Sequence, residues 1–413
     1  MGKGLVLIAI ALALGGALGG LGGRVASEAA PVNPVGVRDL PGGPANGATP
    51  GSANYYVATS GSDTSGGGSA ANPWGTIAYA STRIGPGAVV HVAPGTYVGS
   101  FHTNTSGTAS AWITYVSDTK WGAKLVGAKG STWGNYGAYV VVEGFDVTGP
   151  GLNGIYTEGD HTRIIGNHVH HVLTTTCNSI GGSGINLNAP NAEAIGNYVH
   201  DNGPYPTPCG YVHGIYFLQQ GGKAFNNIAF RNAGYGIHIW HNASNLAITN
   251  NTLIDNLFGG VVIGASEGTV NDYTLVSNNI VYNNTRGISE TGATGPHNVY
   301  ANNLVYHNTL RDFSLQNNIL PARTVSADPR FVDFTGDAGG NFHLQRNSPA
   351  IDAGSNRNAP DFDFDGVRRP QGKAWDIGAY EYVSPAAALL PRTAIANGAP
   401  REAYLKDRRT SVR

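Results

Sequence analysis

The sequence has little charge and few sulfur-containing residues. Charged side chains make up 12% of its 413 residues, and it contains two cysteines and one methionine. The formal net charge is −1, so the chain lacks the basic surface that nucleic-acid binding requires, and we expect no nucleic-acid partner. This composition suits neither a helical bundle nor a highly charged disordered chain. The 60 glycines predict a protein built from strands and turns.

Long apolar runs are also scarce. The one such run extends from Gly4 to about Gly23 behind a single lysine, and small residues follow it up to Ala30. This pattern is typical of a secretory signal peptide, so residues 1–30 are expected to be removed; a retained transmembrane anchor is the alternative. No later run is long enough to span a bilayer. We therefore expect an exported, extracellular protein with no membrane association after cleavage.

The remaining chain divides by composition. Residues 31–53 are rich in Pro, Gly and Ala and predict a linker. Residues 54–325 carry regular strand patterns, and a short amphipathic helix in "NPWGTIAYA" is expected to cover the open end of the stack. Residues 326–383 are expected to form a carboxy-terminal cap, and residues 384–413 a disordered tail.

An internal repeat dominates residues 154–308. A Gly followed by Ile or Val recurs at Gly154, Gly184, Gly214, Gly236, Gly260 and Gly287. An Asn between two strands recurs at Asn167, Asn197, Asn227, Asn251, Asn279 and Asn303, and a second Asn column follows five residues later at Asn202, Asn232, Asn256, Asn284 and Asn308. Because these columns advance together, each repeat is predicted to be one rung of a coil.

Asparagine suits the turns of such a coil. It tolerates the left-handed conformation of a tight turn, and its side-chain amides can hydrogen-bond from rung to rung. The flanking Ile and Val side chains point inward on alternate positions, so stacking buries a continuous apolar column. A β-sandwich would instead show turn signals every ~8–12 residues without aligned columns. The predicted fold is an all-β, right-handed parallel β-helix with an asparagine ladder.

From Tyr55 to Tyr382 the chain resembles the right-handed parallel β-helix proteins of the pectate-lyase-like class. The opening "GSD…NPWGTIAYA…PGTY" resembles the amino-terminal cap of secreted members, and "ADPRFVDF…NSPAIDAGS…DFDFDGVRRP…DIGAYEY" resembles their carboxy-terminal segment. The resemblance implies a substrate groove on the face of the first strand, beside the return connections. It does not fix the activity, because this scaffold carries lyases, hydrolases, epimerases and non-enzymatic surface proteins.

A cluster of outward positions on the first strands is the strongest functional signal. Alternation places His213, Tyr216 and His238 on this face as catalytic candidates, with a histidine as base or carboxylate neutraliser and Tyr216 as proton donor for β-elimination of a uronate. The candidate substrate-binding residues are Asn186, Tyr235, Trp240, Lys223 and Arg286. The preferred function is therefore a polysaccharide lyase, acting as a monomer.

Two other functions stay open. A non-catalytic carbohydrate-binding or surface protein would leave the same side chains as an ordinary solvated face. A glycoside hydrolase needs paired carboxylates, and the outward columns offer only Glu158 and Glu290. Pectate itself is in doubt, because the first-strand face lacks the aspartate cluster that would hold the calcium ion of pectate lyases.

Two segments carry residues that could ligate a metal ion. His170, His171, His200 and Asp201 share the third-strand column, where a solvated face is favoured over metal binding. The aspartates of "DFDFDG" resemble the start of a calcium loop, yet the closing position is Gly372, so a turn is favoured. No cofactor or metal ligand is assigned, and calcium remains an option.

The two cysteines are expected to form a disulfide. Cys177 lies seven residues before Gly184, and Cys209 lies five residues before Gly214. Both therefore occupy the same return connection on adjacent rungs, within bridging range. An oxidising compartment favours their pairing.

Overall fold

Each repeat of the chain forms three short strands separated by turns. The computed structural model describes residues 53–266, 268–334 and 340–384. The expected signal peptide, the linker up to residue 52 and the tail beyond residue 384 lie outside these residues. Among the described residues, no helix has the length and hydrophobicity needed to cross a bilayer.

The described residues contain one helix and thirty strands. The helix, α1 (Ile77–Ser81), begins after Thr76, whose hydroxyl oxygen accepts a hydrogen bond from the N–H of Tyr79. The strands in chain order are β1 (Asn54–Val57), β2 (Val89–Val92), β3 (Gly95–Val98), β4 (Phe101–Thr103), β5 (Ile113–Ser117), β6 (Ala123–Val126), β7 (Ser131–Asn135), β8 (Val140–Glu143), β9 (Asp146–Gly149), β10 (Asn153–Thr157), β11 (Arg163–Ile165), β12 (His168–Val172), β13 (Gly182–Leu187), β14 (Glu193–Ile195), β15 (Tyr198–His200), β16 (Val212–Phe217), β17 (Lys223–Phe225), β18 (Ile228–Phe230), β19 (Tyr235–Ile239), β20 (Ala247–Thr249), β21 (Thr252–Ile254), β22 (Gly259–Ala265), β23 (Leu275–Ser277), β24 (Ile280–Tyr282), β25 (Arg286–Gly292), β26 (Val299–Ala301), β27 (Leu304–Tyr306), β28 (Arg311–Ser314), β29 (Phe331–Asp333) and β30 (Asn341–Leu344).

Three long parallel sheets run along the coil. The first sheet contains every third strand from β4 to β28, the second contains β1, β2 and every third strand from β5 to β26, and the third contains every third strand from β3 to β27. Strands β29 and β30 form a separate antiparallel pair. The Gly-Ile strands predicted from the repeat all lie in the first sheet, and corresponding residues of successive repeats are in register. The predicted parallel β-helix is confirmed.

The asparagine ladder lies at the turn between the second and third sheets. In the first column, each Oδ1 from Asn197 to Asn303 accepts the backbone N–H and the Nδ2–H of the preceding member, at 2.9–3.2 Å. The second column, from Asn202 to Asn308, forms an equivalent ladder at the turn that returns to the first sheet. Both columns are buried, so the amides satisfy one another's hydrogen bonds out of water.

The ladder asparagines do not themselves adopt the left-handed conformation that was expected of them. The left-handed residue is the one before each ladder asparagine, for example Gly166 (φ 62°) before Asn167 and Asn226 (φ 53°) before Asn227. The same holds before the second ladder, where Arg231 has a φ of 52°. The ladder asparagine is therefore selected for its amide, and the preceding residue for its tolerance of positive φ.

A continuous apolar column fills the coil. The inward residues of the first sheet are fully buried: Ile155, Ile185, Ile215, Ile237, Val261 and Ile288. At the amino-terminal end, Ile77 and Ala80 of α1 are buried in the same core, as expected for a cap. The carboxy-terminal segment buries Phe342 and Phe364 in a second cluster with Phe230 of the third sheet.

The aspartate motif near the carboxy terminus forms a turn. The buried Asp363 Oδ1 accepts the backbone N–H groups of Asp365 (2.9 Å) and Val367 (2.7 Å), and its Oδ2 accepts that of Glu381. Arg369 is buried beside it and forms an ion pair with Glu381 at 2.7 Å. These contacts account for the "DFDFDGVRR" and "AYEY" segments as packing elements of the cap.

Candidate functional site

The two longest return connections are joined beside the first sheet. Cys177 and Cys209 form the predicted disulfide, with Cα atoms 5.7 Å apart. The bond holds the connection before β13 against the connection before β16. It therefore fixes the loops that border one end of the predicted first-sheet patch. This patch comprises His213, Tyr216, His238, Asn186, Tyr235 and Trp240.

The register of the first sheet brings the predicted catalytic residues together. Asn186, Tyr216 and His238 are consecutive Cα partners on β13, β16 and β19. The rings of Tyr216 and His238 stack with centroids 4.7 Å apart and an interplanar angle of 8°. His213 lies against both, at 5.3 Å from Tyr216 and 4.0 Å from His238.

The two histidines are hydrogen-bonded to each other. His238 Nδ1 lies 2.6 Å from His213 Nε2, and the backbone N–H of Tyr235 donates to His213 Nδ1 at 3.3 Å. Both ring nitrogens of His213 are therefore engaged by protein groups. His238 Nε2 makes no hydrogen bond with a described residue, which leaves it as the nitrogen available to a ligand.

The expectation that His213 lines an open groove was wrong. Its side chain is buried, with 2% of the residue exposed. The short return connection before β19 passes over the ring so closely that a β-carbon on Gly234 would lie 2.5 Å from His213 Nδ1. His213 therefore contacts His238 from the buried side through this hydrogen bond, whereas Tyr216 and His238 are half-buried at the surface.

Burial shifts the pKa values of this cluster in opposite directions. It lowers the pKa of His213 to about 3, and it lowers the pKa of His238 well below the usual value, with the neighbouring His213 acting in the same direction. Burial raises the pKa of Tyr216 above its usual range. Near neutral pH the two imidazoles are therefore neutral and the phenol is protonated.

Two aromatic rings extend this surface along the sheet. Tyr235 and Trp240 project over the next rung at positions where that rung has glycine. A β-carbon at Gly259 would lie 2.9 Å from the Tyr235 ring, and one at Gly264 would lie 2.2 Å from the Trp240 ring. The missing side chains let the rings approach the sheet backbone, which produces a half-buried aromatic surface next to His238.

The structure separates the two predicted cations. Lys223 is not part of the patch, because it begins β17 in the second sheet, where its Nζ pairs with Glu193 at 2.7 Å. Arg286 begins β25 in the first sheet, and its charge partly offsets the rise that burial causes in the pKa of Tyr235. Its neighbour in register is Arg311 of β28, which sequence reasoning missed.

The carboxylates do not form a hydrolytic pair. Glu290 does not point outward as expected. It is the register partner of Ile263, whose side chain points into the coil, and it is buried. Its Oε1 accepts hydrogen bonds from Tyr300 Oη (2.6 Å) and Asn298 Nδ2 (2.8 Å). Glu158 does lie on the outer face, where it accepts a hydrogen bond from the hydroxyl of Tyr156. Two carboxylates flanking one bond, as glycoside hydrolysis requires, are therefore not found among these residues.

The patch continues towards the amino-terminal end through residues that sequence reasoning did not assign. Tyr136 and Tyr156 contact edge to face with centroids 6.2 Å apart, and Asn188 donates to the Tyr156 hydroxyl at 3.0 Å. Tyr156 and Asn188 share the outward columns of Tyr216 and Trp240, so the alternation could have identified them. Tyr136 follows Trp133, in a rung without the Gly-Ile signal.

Comparison with known families supports the architecture. Residues 131–314 match a family model described as a right handed beta helix region. Together with the three parallel sheets, this match establishes a right-handed parallel β-helix fold. Comparison of the sequence with curated proteins gives no match.

A solved lyase structure shares this fold. A crystal structure of pectate lyase Pel9A is 19% identical, over 79% of this chain and 96% of that one, with a TM-score of 0.52. A rhamnogalacturonan lyase is 16% identical, over 68% and 91% of the two chains, with a TM-score of 0.48. At these identities the first comparison establishes the pectate-lyase-like fold and leaves the activity to be argued from the site.

Proposed function

We propose that this β-helix protein binds a uronate-containing polysaccharide along the outer face of the first sheet and cleaves it by β-elimination. The observation that carries this proposal is the stacked pair of Tyr216 and His238, whose pKa values are displaced in opposite directions. Adjacent groups of this kind supply a neutral base and a protonated acid at the same pH. The fold shared with a pectate lyase supports carbohydrate as the ligand class.

The reaction divides between these two residues. His238 Nε2 takes the proton from C5 of the uronate, and the C5–H electron pair forms the C4=C5 double bond. The bond between C4 and the glycosidic oxygen breaks, and the Tyr216 hydroxyl donates its proton to that oxygen. Transfer of the proton from His238 back to Tyr216 through solvent restores both groups.

His213 is a positioning residue in this scheme. With the Tyr235 N–H donating to its Nδ1, neutral His213 carries its proton on Nε2 and donates to His238. Neutral His238 then carries its own proton on Nε2. This nitrogen becomes a base after a tautomer exchange, in which the Nε2 proton of His213 moves to His238 Nδ1, His238 Nε2 releases its proton to solvent and His213 Nδ1 takes up a proton from solvent. This exchange gives up a long hydrogen bond of 3.3 Å, at a cost of about 1–3 kcal/mol, which is small beside the barrier reductions of enzymes.

The substrate contacts follow from the neighbouring side chains. Tyr235 and Trp240 offer faces on which pyranose rings can stack. Asn186 Oδ1 is buried without a hydrogen-bond partner among the described residues, so it can accept from a sugar hydroxyl. Arg286 forms no ion pair with a described residue and is a cation available to a uronate carboxylate.

The test is an activity screen with matched variants. Purified protein is incubated with a panel of uronate polysaccharides, and ultraviolet absorbance reports the conjugated C4=C5 bond. Tyr216→Phe and His238→Ala should each reduce the rate by about 100-fold or more, since each removes a proton-transfer group. Tyr273→Phe is the control, because this exposed tyrosine lies outside the patch and stacks on His297.

Two outcomes would contradict the proposal. Binding without an unsaturated product, measured by affinity electrophoresis, would assign the face to carbohydrate binding alone. Cleavage at wild-type rates by both Tyr216→Phe and His213→Ala would place the reaction elsewhere. The third-sheet face around His200 and Asp201 would then be the next candidate.

A further inference from the structure

A second polar cluster lies on the outer face of the third sheet, separate from the patch described above. Adjacent rungs bring its members together: Asp146 is the register partner of His168, and His170 that of His200. His171 lies in β12 and Asp201 directly follows β15, and these two residues complete the cluster. This face therefore carries four imidazoles and two carboxylates in mutual contact.

One chain of contacts fixes the tautomers within this cluster. Arg231 pairs with Asp201 at 2.6 Å, which holds that carboxylate as an acceptor. Asp201 Oδ2 lies 2.7 Å from His200 Nδ1, so this nitrogen carries the proton and His200 Nε2 has a free lone pair. His200 Nε2 lies 2.7 Å from His168 Nε2, so His168 must donate there. His168 therefore carries its lone pair on Nδ1.

That lone pair is directed at another acceptor. His168 Nδ1 lies 3.5 Å from Asp146 Oδ1, and no proton is available to join them. His170 Nε2 lies 2.8 Å from the same oxygen. The other oxygen of Asp146 faces Lys124 Nζ at 3.9 Å, which leaves Oδ1 for a different cation. One nitrogen from each histidine and one carboxylate oxygen lie within 4.8 Å of one another.

We infer that Asp146, His168 and His170 bind a divalent transition-metal ion of the zinc class. Two imidazoles and one carboxylate form a ligand set that suits zinc, whereas calcium and magnesium prefer oxygen ligands. Ligands about 2.0–2.1 Å from a tetrahedral ion lie about 3.3 Å apart, so the separation of 3.5 Å already fits. The contact between His170 and Asp146 needs to widen by about 0.5 Å.

Metal binding requires a change of tautomer at His170 and at its neighbour His171. His170 Nε2 must present its lone pair, so the proton moves to Nδ1, which then donates to His171 Nδ1 at 2.8 Å. His171 is exposed and exchanges its own proton with solvent. Each metal-binding imidazole then donates its other N–H to a histidine, which is the usual outer-shell arrangement.

Aromatic rings enclose the cluster on both sides. Trp121 lies over His168 with centroids 4.9 Å apart, and Phe230 stacks on His200 at 4.7 Å. These rings restrict the movement of the imidazoles. The ion would join β9 to β12 on adjacent rungs, so it should raise the melting temperature by linkage.

The test measures metal binding directly on tag-free protein. The protein is stripped with a chelator, equilibrated with Zn²⁺, dialysed and analysed for metal content, and Co²⁺ is used as a spectroscopic substitute. We expect one ion per chain, a visible Co²⁺ absorption band typical of low coordination number, and a rise in Tm on loading. Excess Ca²⁺ should not displace the ion.

Variants locate the ion. Asp146→Asn and His170→Ala should each weaken binding at least tenfold and remove the Tm rise, whereas His297→Ala should change neither. His297 is the matched control because it pairs with Asp272 at 2.6 Å outside the cluster. Asp146→Asn preserves shape, so it carries the test if His170→Ala fails to fold. Absence of saturable binding by folded wild-type protein, or one ion per chain retained in both variants, would overturn the inference.

Discussion

Replacing Asn227 by alanine should lower the free energy of unfolding by about 4 kcal/mol. The Asn227 Oδ1 accepts from the backbone N–H and the Nδ2–H of Asn197, each at 3.0 Å. Its Nδ2 donates to Ala194 O at 2.8 Å and to Asn251 Oδ1 at 2.9 Å. Four hydrogen bonds at a net value of about 1 kcal/mol each give this estimate. The buried backbone N–H of Asn197 loses its partner, so the estimate is not offset by water.

The assay is urea denaturation followed by far-ultraviolet circular dichroism. Asn347→Ala is the control, because Asn347 is exposed and makes no hydrogen bond with a described residue, so its effect should stay within about 0.5 kcal/mol. Asn227→Asp keeps the acceptor and loses the Nδ2 donor while burying a charge, so it should also destabilise. A loss of less than 1 kcal/mol for Asn227→Ala would refute the idea that the ladder contributes substantially to stability.

Three further predictions concern the first-sheet site and its border. Because the pKa of His238 is lowered and that of Tyr216 is raised, kcat/KM for cleavage should be flat from about pH 6 to about pH 9. It should fall only when the pH drops through the lowered pKa of His238 or rises through the raised pKa of Tyr216. A bell-shaped profile centred on pH 7 would contradict the assignment. Replacing both Cys177 and Cys209 by alanine should cost about 3–4 kcal/mol of unfolding free energy, from the closed loop of 32 residues, and an unchanged urea midpoint would count against it. Trp240→Ala should raise KM about fivefold with kcat nearly unchanged, as the loss of about 1 kcal/mol of stacking requires, and a selective loss of kcat would instead place Trp240 at the reacting centre.

The fold could be predicted because its main determinants repeat. Every rung needs a buried amide at the same turn and a small residue before the inward Ile or Val, and both requirements mark the sequence at aligned positions. The left-handed position was harder to recognise, because it is met by residues as different as Gly166, Asn226 and Arg231. A column defined by a backbone angle leaves a weaker pattern than a column defined by one side chain.

The second-sheet location of Lys223 shows where alternation stops being informative. Lys223 lies nine residues after Gly214, whereas β16 ends at Phe217 and a turn separates the first sheet from the second. Strand ends depend on the turn geometry, which the Gly-Ile pattern does not encode. A residue beyond the end of a first-sheet strand therefore cannot be assigned to that face from the repeat alone.

The same limitation explains both the correct and the incorrect parts of the site prediction. Alternation within one strand, combined with the rung repeat, correctly placed Tyr216 beside His238, since both relations follow from register alone. The burial of His213 depends instead on how closely the short connection at Gly234 passes over its ring, which is a property of the following rung. The hydrogen bond between the two histidines follows from that burial, because a ring held under the backbone of Tyr235 can reach His238 with one nitrogen only. What register determines can be predicted from sequence, whereas the functional difference between the two histidines requires the packed structure.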